Sequence, residues 1–188
     1  NIYKKIKKFF YVKTGLNTLE LKQTKFNKFL KIRVNKSQIG SDRLANAISI
    51  YHKNKNNIVV DLGTATTFDV INKNIYIGGV IAPGVELSLN SLSKKASLIP
   101  LIKFKKYSSI IGKNTMSSVQ AGFYAGYVGL INNIISNIIK QTKKKYQIIL
   151  TGGLSHIFNK NLKFKTSINK DLTLEGLIKL LKIYNNYE

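Results

Sequence analysis

Residues 57–69 read Asn-Ile-Val-Val-Asp-Leu-Gly-Thr-Ala-Thr-Thr-Phe-Asp (NIVVDLGTATTFD), and the fold turns on how this stretch is read. The β-branched run Asn57–Leu62 predicts a buried strand that ends on a carboxylate, Asp61. Gly63 and Thr64 turn the chain, and Thr66–Ile71 reads as a second strand. Asn72-Lys73 then makes a hairpin turn into a third, Asn74–Gly78. The same segment carries chemistry. Gly63 lets the backbone come close to a phosphate. The neighbouring N–H groups and the hydroxyls of Thr64, Thr66 and Thr67 can donate to phosphate oxygens. Asp61, at the strand end, can hold a cation that offsets phosphate charge. The plainer alternative is a hairpin with threonines on its solvent face.

Outward from this core, Pro83-Gly84 breaks the chain and Val85–Ala96 reads as a helix, with Glu86 in its first turn favourable to the dipole. Residues 101–111 are extended and basic, and Thr115–Lys144 is a long helix. Tyr146–Leu150 is a buried strand followed by Thr151-Gly152-Gly153. Leu162–Ile168 reads as a further strand and Leu172–Tyr184 as an amphipathic helix. Upstream, Leu44–His52 is a helix that Ser41 or Asp42 would cap. Ile2–Val12 reads as a basic strand or helix, with Leu19–Leu21 and Phe29–Val34 as short extended pieces. Three strands joined by tight turns, then helices, then a returning parallel strand, make an α/β pattern. That order matches the ribonuclease-H-like lobe which actin-like ATPases and phosphotransferases use in duplicate. The expected organisation is a C-terminal lobe over 54–188, with mixed sheet and flanking helices. Residues 1–53 are expected to be the remnant of an N-terminal lobe carrying a substrate segment.

The composition narrows the function classes. Cysteine is absent, which excludes a disulfide scaffold, a thiolate metal site and a cysteine nucleophile. The formal charge is +23, yet only Arg33 and Arg43 are arginines and the other 29 basic residues are lysines. Phosphate and base recognition in nucleic-acid sites leans on the planar arginine fork, so the charge reads as compositional and nucleic acid is not an expected partner. The charge still favours attraction of ATP or another anion. No charged residue occurs from Asn114 to Ile139, but Asn132, Asn133, Ser136 and Asn137 recur at helical spacing opposite an Ile/Leu face. An amphipathic helix on a core is expected there, not a membrane span. No secretory signal is visible in residues 1–10, and a cytoplasmic protein is expected. His52 and His156 have no carboxylate partner nearby in sequence. Zinc-protease, P-loop and GxSxG motifs are all missing.

Four further constellations matter. Gly40-Ser41-Asp42-Arg43 opens a helix. It reads equally as a helix cap and as a site where Asp42 accepts a hydroxyl proton while Arg43 orients an anionic group. Gly78–Gly84 (GGVIAPG) reads as a floor for a small molecule or as ordinary turn chemistry. Gly112-Lys113-Asn114-Thr115 offers helix-N-terminal N–H groups and the Thr115 hydroxyl to a polar ligand, or is a simple cap. Thr151-Gly152-Gly153 allows a nucleoside or sugar to approach, or is a generic strand-to-helix turn.

Taken in this order, the five motifs, with the ending Leu172-Thr-Leu-Glu-Gly-Leu177, resemble the type III pantothenate kinase family, within the acetate and sugar kinase, Hsp70 and actin superfamily. The resemblance runs from about Gly40 to Asn185. It implies ATP-dependent phosphorylation of pantothenate to 4'-phosphopantothenate, the first step of coenzyme A biosynthesis. It implies Asp42 as proton acceptor, and Gly40, Ser41, Arg43 and Thr115 as contacts to pantothenate. Asp61 would ligate a monovalent cation, K⁺ or NH₄⁺, and Thr64, with Gly63 beside it, would touch ATP. Mg²⁺ and a homodimer are implied as well. One departure stands out: the family's first phosphate loop, Asp-x-Gly-Asn-Thr, has no counterpart before Gly40. An N-terminally truncated chain that binds ATP poorly is the expectation. Two alternatives stay open, a non-catalytic remnant acting as an accessory transcriptional regulator and a kinase of the same superfamily acting on another alcohol.

Overall fold

A computed structural model of the chain describes residues 2–185. Its strands are β1 (Lys31–Ile32), β2 (Asn56–Leu62), β3 (Ala65–Asn72), β4 (Ile75–Pro83), β5 (Gln147–Thr151) and β6 (Thr166–Ile168). Its helices are α1 (Ile2–Thr14), α2 (Ser41–Ile50), α3 (Val85–Lys95), α4 (Thr115–Thr142), α5 (Ser155–Phe158) and α6 (Leu172–Asn185). The six strands form one mixed sheet in the order β1-β4-β3-β2-β5-β6. The β2–β3–β4 meander is antiparallel, and β5 returns parallel to β2 with β6 beyond it. This is the ribonuclease-H-like arrangement expected from the sequence, with β1 added parallel to β4 at the far edge.

The pleat sorts the strands into two cores. Ile58, Val60, Leu62, Phe68, Val70, Ile148 and Leu150 face α3 and α4. Val59, Ile71 and Tyr76 face the other way, onto Leu44, Ala45, Ala47 and Ile48 of α2 and Leu172 and Leu180 of α6. Leu21, Phe26, Leu30 and Ile39 join that second core. No packing boundary therefore falls at the expected division between residues 53 and 54: α2 is a layer of the same sheet. The two helices on this face approach very closely at Gly176, where a Cβ would overlap the carbonyl of Ala45.

Of the strand or helix left open for Ile2–Val12, the structure shows a helix, Ile2–Thr14, exposed throughout. Other local expectations are revised. The pieces around Leu21 and Phe29 are mostly single 3-10 turns, and only Lys31–Ile32 reaches the sheet. Strand β4 continues through the glycine pair to Pro83, where the sequence reading ended it at Gly78. The β3–β4 register shifts at Ile77, which has no partner: Tyr76 pairs with Ile71, and the ladder resumes at Gly78 (φ +132°) opposite Val70 and Gly79 opposite Asp69. Residues 101–111 belong to no ladder. Gln120 of α4 holds this segment instead, donating to Lys103 O and accepting from Lys105 N. Asn132 is likewise buried, where the periodicity placed it on a polar face, and accepts from the Lys163 backbone N–H. These buried amides explain polar residues inside an uncharged helix. No helix among the described residues is long and apolar enough to cross a membrane.

Candidate active site

Strand alternation decides which of the segment's side chains can act together. On β2 and β3, Asp61, Thr67 and Asp69 point to the α2 side, because Asp61 pairs with Thr67, and Asp69 with Val59. Thr66 must then face α3 and α4, and it is fully buried there. Its hydroxyl cannot serve a phosphate at the turn, which removes one of the three donors that the sequence reading counted. Thr64 and Gly63, at the turn itself, are exposed.

Helix α2 lies over this face with its N-terminus at the site. Gly40 is the N-cap, and no side chain caps the helix; Ser41 and Asp42, expected as caps, occupy the first turn and are exposed. The Asp42 carboxylate folds back over Gly40, where a Cβ would overlap its Oδ1. Residues 43 and 46, one turn apart, reach down to the sheet. Arg43 Nε donates to Asp69 Oδ1 at 2.8 Å. Asn46, fully buried, donates from Nδ2 to Asp61 Oδ2 at 3.3 Å and accepts at Oδ1 from the Thr173 hydroxyl at 2.7 Å. The α6 hydroxyl thus sets the orientation of the amide, and the amide holds one oxygen of Asp61.

The other oxygen of Asp61 faces two glycine turns. A Cβ on Gly152 would lie 2.6 Å from Asp61 Oδ1, and one on Gly63 would lie 3.5 Å away. Gly152 also sits at φ +84°, a conformation that disfavours side chains. The Gly63-Thr64 turn is drawn against the end of β4: Gly84 N donates to Thr64 O at 3.1 Å, and a Cβ on Gly84 would overlap both Thr64 O and Gly63 O. Beside this turn lies a cavity of about 480 Å³, lined by Gly63, Thr64, Glu86, Asn90, Gly153 and Leu154 among others. Three segments distant in sequence, Leu62–Thr64, the first turns of α3 and Gly153-Leu154, therefore line one depression, and Gly84 holds its turn in place.

The electrostatics tie Asp42 to the same place. Burial raises the Asp61 carboxyl above the ordinary carboxylate range; the Asn46 bond opposes this, and the charges of Asp42 and Asp69 add to it. Asp69 is also raised by burial, against the opposing pull of Arg43 and of the Tyr76 hydroxyl. Asp42 contributes to the fields at Arg43, Asp61, Asp69 and Tyr76. Asp61 is half-buried, and its Oδ1, without a hydrogen bond among the described residues, faces the two backbone turns. Among the described residues no group of three or more His, Cys, Asp or Glu side chains forms a multidentate metal site.

Thr115 is not joined to this cluster by any described contact. It occupies the exposed first turn of α4, behind an Asn114/Ser117 capping box in which Asn114 Oδ1 accepts from the Ser117 N–H. Tyr76 and Thr173 make contacts to Asp69 and Asn46 that the sequence does not reveal. Tyr76 is a strand aromatic whose hydroxyl partner lies across a hairpin, and Thr173 acts only through tertiary contact, so neither left a local signal. Asp69 was grouped with the phosphate segment, but its partner is Arg43.

A profile described as type III pantothenate kinase matches residues 1–137. The chain belongs to the type III pantothenate kinase family. The type III pantothenate kinase of Pelagibacter ubique (strain HTCC1062) is 55% identical over 174 residues, covering 93% of this chain and 70% of that protein. Its counterpart in Sulfurihydrogenibium sp. (strain YO3AOP1) is 45% identical over 145 residues, covering 76% and 58%. The chain thus spans 58% to 70% of the length of these two family members. Among solved structures, a Campylobacter jejuni protein described as a conserved Baf family transcriptional activator superposes with a TM-score of 0.62 at 22% identity, over 86% of this chain and 72% of that one. The Alp12 filament protein gives 0.52 at 17% identity, over 78% and 53%. At such identities the likeness speaks for the fold alone.

Proposed function

We propose that this chain carries the pantothenate-binding segment and one phosphate loop of an ATP-dependent pantothenate kinase, which makes 4'-phosphopantothenate for coenzyme A synthesis. The observation that carries the reading is that α2, whose first turn bears Asp42, lays Asn46 onto Asp61 beside the Gly63-Thr64 turn. In this reading Asp42 accepts the proton of the primary hydroxyl. Arg43 faces the substrate's carboxylate, and Gly40 and Ser41 line its path. Gly63 and Thr64 donate to the phosphates of ATP. Phosphoryl transfer asks a protein mainly for positioning and charge neutralisation, and this inventory supplies both. Asp61 would hold K⁺ or NH₄⁺ beside the turn, where the cation would offset phosphate charge, and Mg²⁺ would accompany the nucleotide.

A cytoplasmic homodimer completes the proposal, with Thr115 contacting pantothenate. The exposed face of α4 supports the dimer: Ser118, Gly122 and Gly126 follow at four-residue intervals and Gly129 continues the stripe, and Cβ atoms on these glycines would meet nothing within 4 Å. Small residues at this spacing let a second helix approach closely.

The test is calorimetric titration with pantothenate, paired with phosphoryl transfer from γ-labelled ATP in K⁺ and in Na⁺. Pantothenate binding is expected, with only weak transfer, because one phosphate loop is missing; that transfer should need K⁺ and disappear in Asp42→Asn. Failure of the chain to bind pantothenate refutes the reading.

A further inference from the structure

Three donors converge on a single buried oxygen at the edge of this site. Arg43 Nε donates to Asp69 Oδ1 at 2.8 Å, Arg43 Nη2 lies 2.6 Å from the same atom, and the Tyr76 hydroxyl donates to it at 2.6 Å. Asp69 is completely buried, and its Oδ2 has no partner among the described residues. Arg43 retains 13% exposure. Its guanidinium passes directly over Gly79, where a Cβ would lie 2.6 Å from Nη2. A Cβ there would also overlap the Phe68 carbonyl oxygen, so glycine suits both the close β3 backbone and the passage by which Arg43 reaches Asp69.

An exposed arginine on the first turn of a helix has several free torsions, and its rotamer entropy is about 2 kcal/mol. Anchoring Nε and one Nη nitrogen at a buried carboxylate removes that freedom before a ligand arrives. The edge bearing Nη1 is left for a second anion. Tyr76 supplies a third donor to the anchoring oxygen and sits in the α2-side core.

The geometry points to Asp69, Tyr76 and Gly79 as positioning residues that pre-orient Arg43 for the carboxylate end of the substrate. They would thereby set the preference for an acid over the corresponding alcohol. This inference rests on the reading of the site as a pantothenate site.

Two measurements on the whole chain test it. The chain holds only two arginines, and Arg33 is exposed, so two Nε–H signals are expected in an arginine-selective NMR spectrum. The Arg43 signal should be shifted and slow to exchange with water, and should move toward the free-arginine position in Asp69→Asn. The second measurement compares calorimetric affinities for pantothenate and pantothenyl alcohol. The preference for the acid should fall about tenfold in Asp69→Asn and by a smaller factor in Tyr76→Phe, which keeps the carboxylate and the packing. Circular dichroism establishes that each variant is folded, and Tyr76→Phe carries the test if Asp69→Asn is not. A free-arginine Arg43 signal in the wild type overturns the inference, as does an unchanged acid preference in the folded variants. A wild type that binds neither compound overturns the pantothenate reading and, with it, the substrate part of the inference. Binding with unaltered preference overturns the inference alone.

Discussion

Replacing Gly176 with alanine separates two opposing effects whose signs the structure distinguishes. In a helix interior, Gly→Ala ordinarily stabilises by about 0.5–1 kcal/mol, because alanine has less backbone freedom to lose. At Gly176 the added methyl would fall onto the backbone carbonyl oxygen and carbon of Ala45 in α2. These atoms belong to a hydrogen-bonded helix and cannot swing aside as a side-chain end would. Either α6 lifts from α2 or both helices shift over the sheet, and overpacking of this kind costs about 1–3 kcal/mol or more. The net expectation is destabilisation by about 1–2 kcal/mol. For a chain of this size that lowers the melting temperature by about 2–8 °C. Urea unfolding followed by circular dichroism would show a lower midpoint at an unchanged slope. Because the clash is with backbone, Ala45→Gly would not rescue it. A Gly176→Ala chain as stable as the parent, or more so, refutes the close-packing argument.

Other perturbations follow from the same site. Asp61 titrates above the ordinary carboxylate range through burial first and the neighbouring carboxylates after it, so its cost to stability grows as pH rises from about 4 to its folded value and is full above that. Asp61→Asn, whose amide oxygen still accepts from Asn46, should be more stable than the parent at pH 7 and should lose that part of the pH dependence in thermal melts. K⁺ should raise the melting temperature of the parent only; a less stable variant with the parent's pH profile contradicts this. Gly152→Ala places a side chain at φ +84° and against Asp61 Oδ1, so about 1–2 kcal/mol of stability and the K⁺ effect should be lost together, both readable by calorimetry. Gly126→Leu should convert a dimer to monomer in sedimentation while leaving the monomer's helix content intact, and an unchanged sedimentation coefficient rules α4 out as the dimer face.

How much could be read from the chain itself differs by element. The β2–β3–β4 meander and α4 were legible because their signals are local: β-branched runs, a two-residue turn at Asn72-Lys73, and a long helical period. The end of β4 was misread because glycines signal a turn in sequence, whereas Gly79 serves as a passage for Arg43. The 101–111 segment was legible as extended, but its attachment to Gln120 was not, since that bond spans 15 or more positions. In the site, DLGT, Gly-x-Asp-Arg and Thr-Gly-Gly stood out as motifs. Only their mutual placement, and the networks of Asn46 with Thr173 and of Asp69 with Tyr76, stayed hidden.

Residue type and order alone determined most of the secondary elements, the α/β class and the family, because each depends on neighbours within a few positions or on an ordered set of short motifs. Tertiary structure decided which threonine faces the ligand side, which carboxylate anchors Arg43 and which oxygen of Asp61 is free. Those choices depend on strand register and on how closely α2 is laid over the sheet. Both are set by packing between segments as far apart as Ala45 and Gly176, whose contact no local pattern encodes.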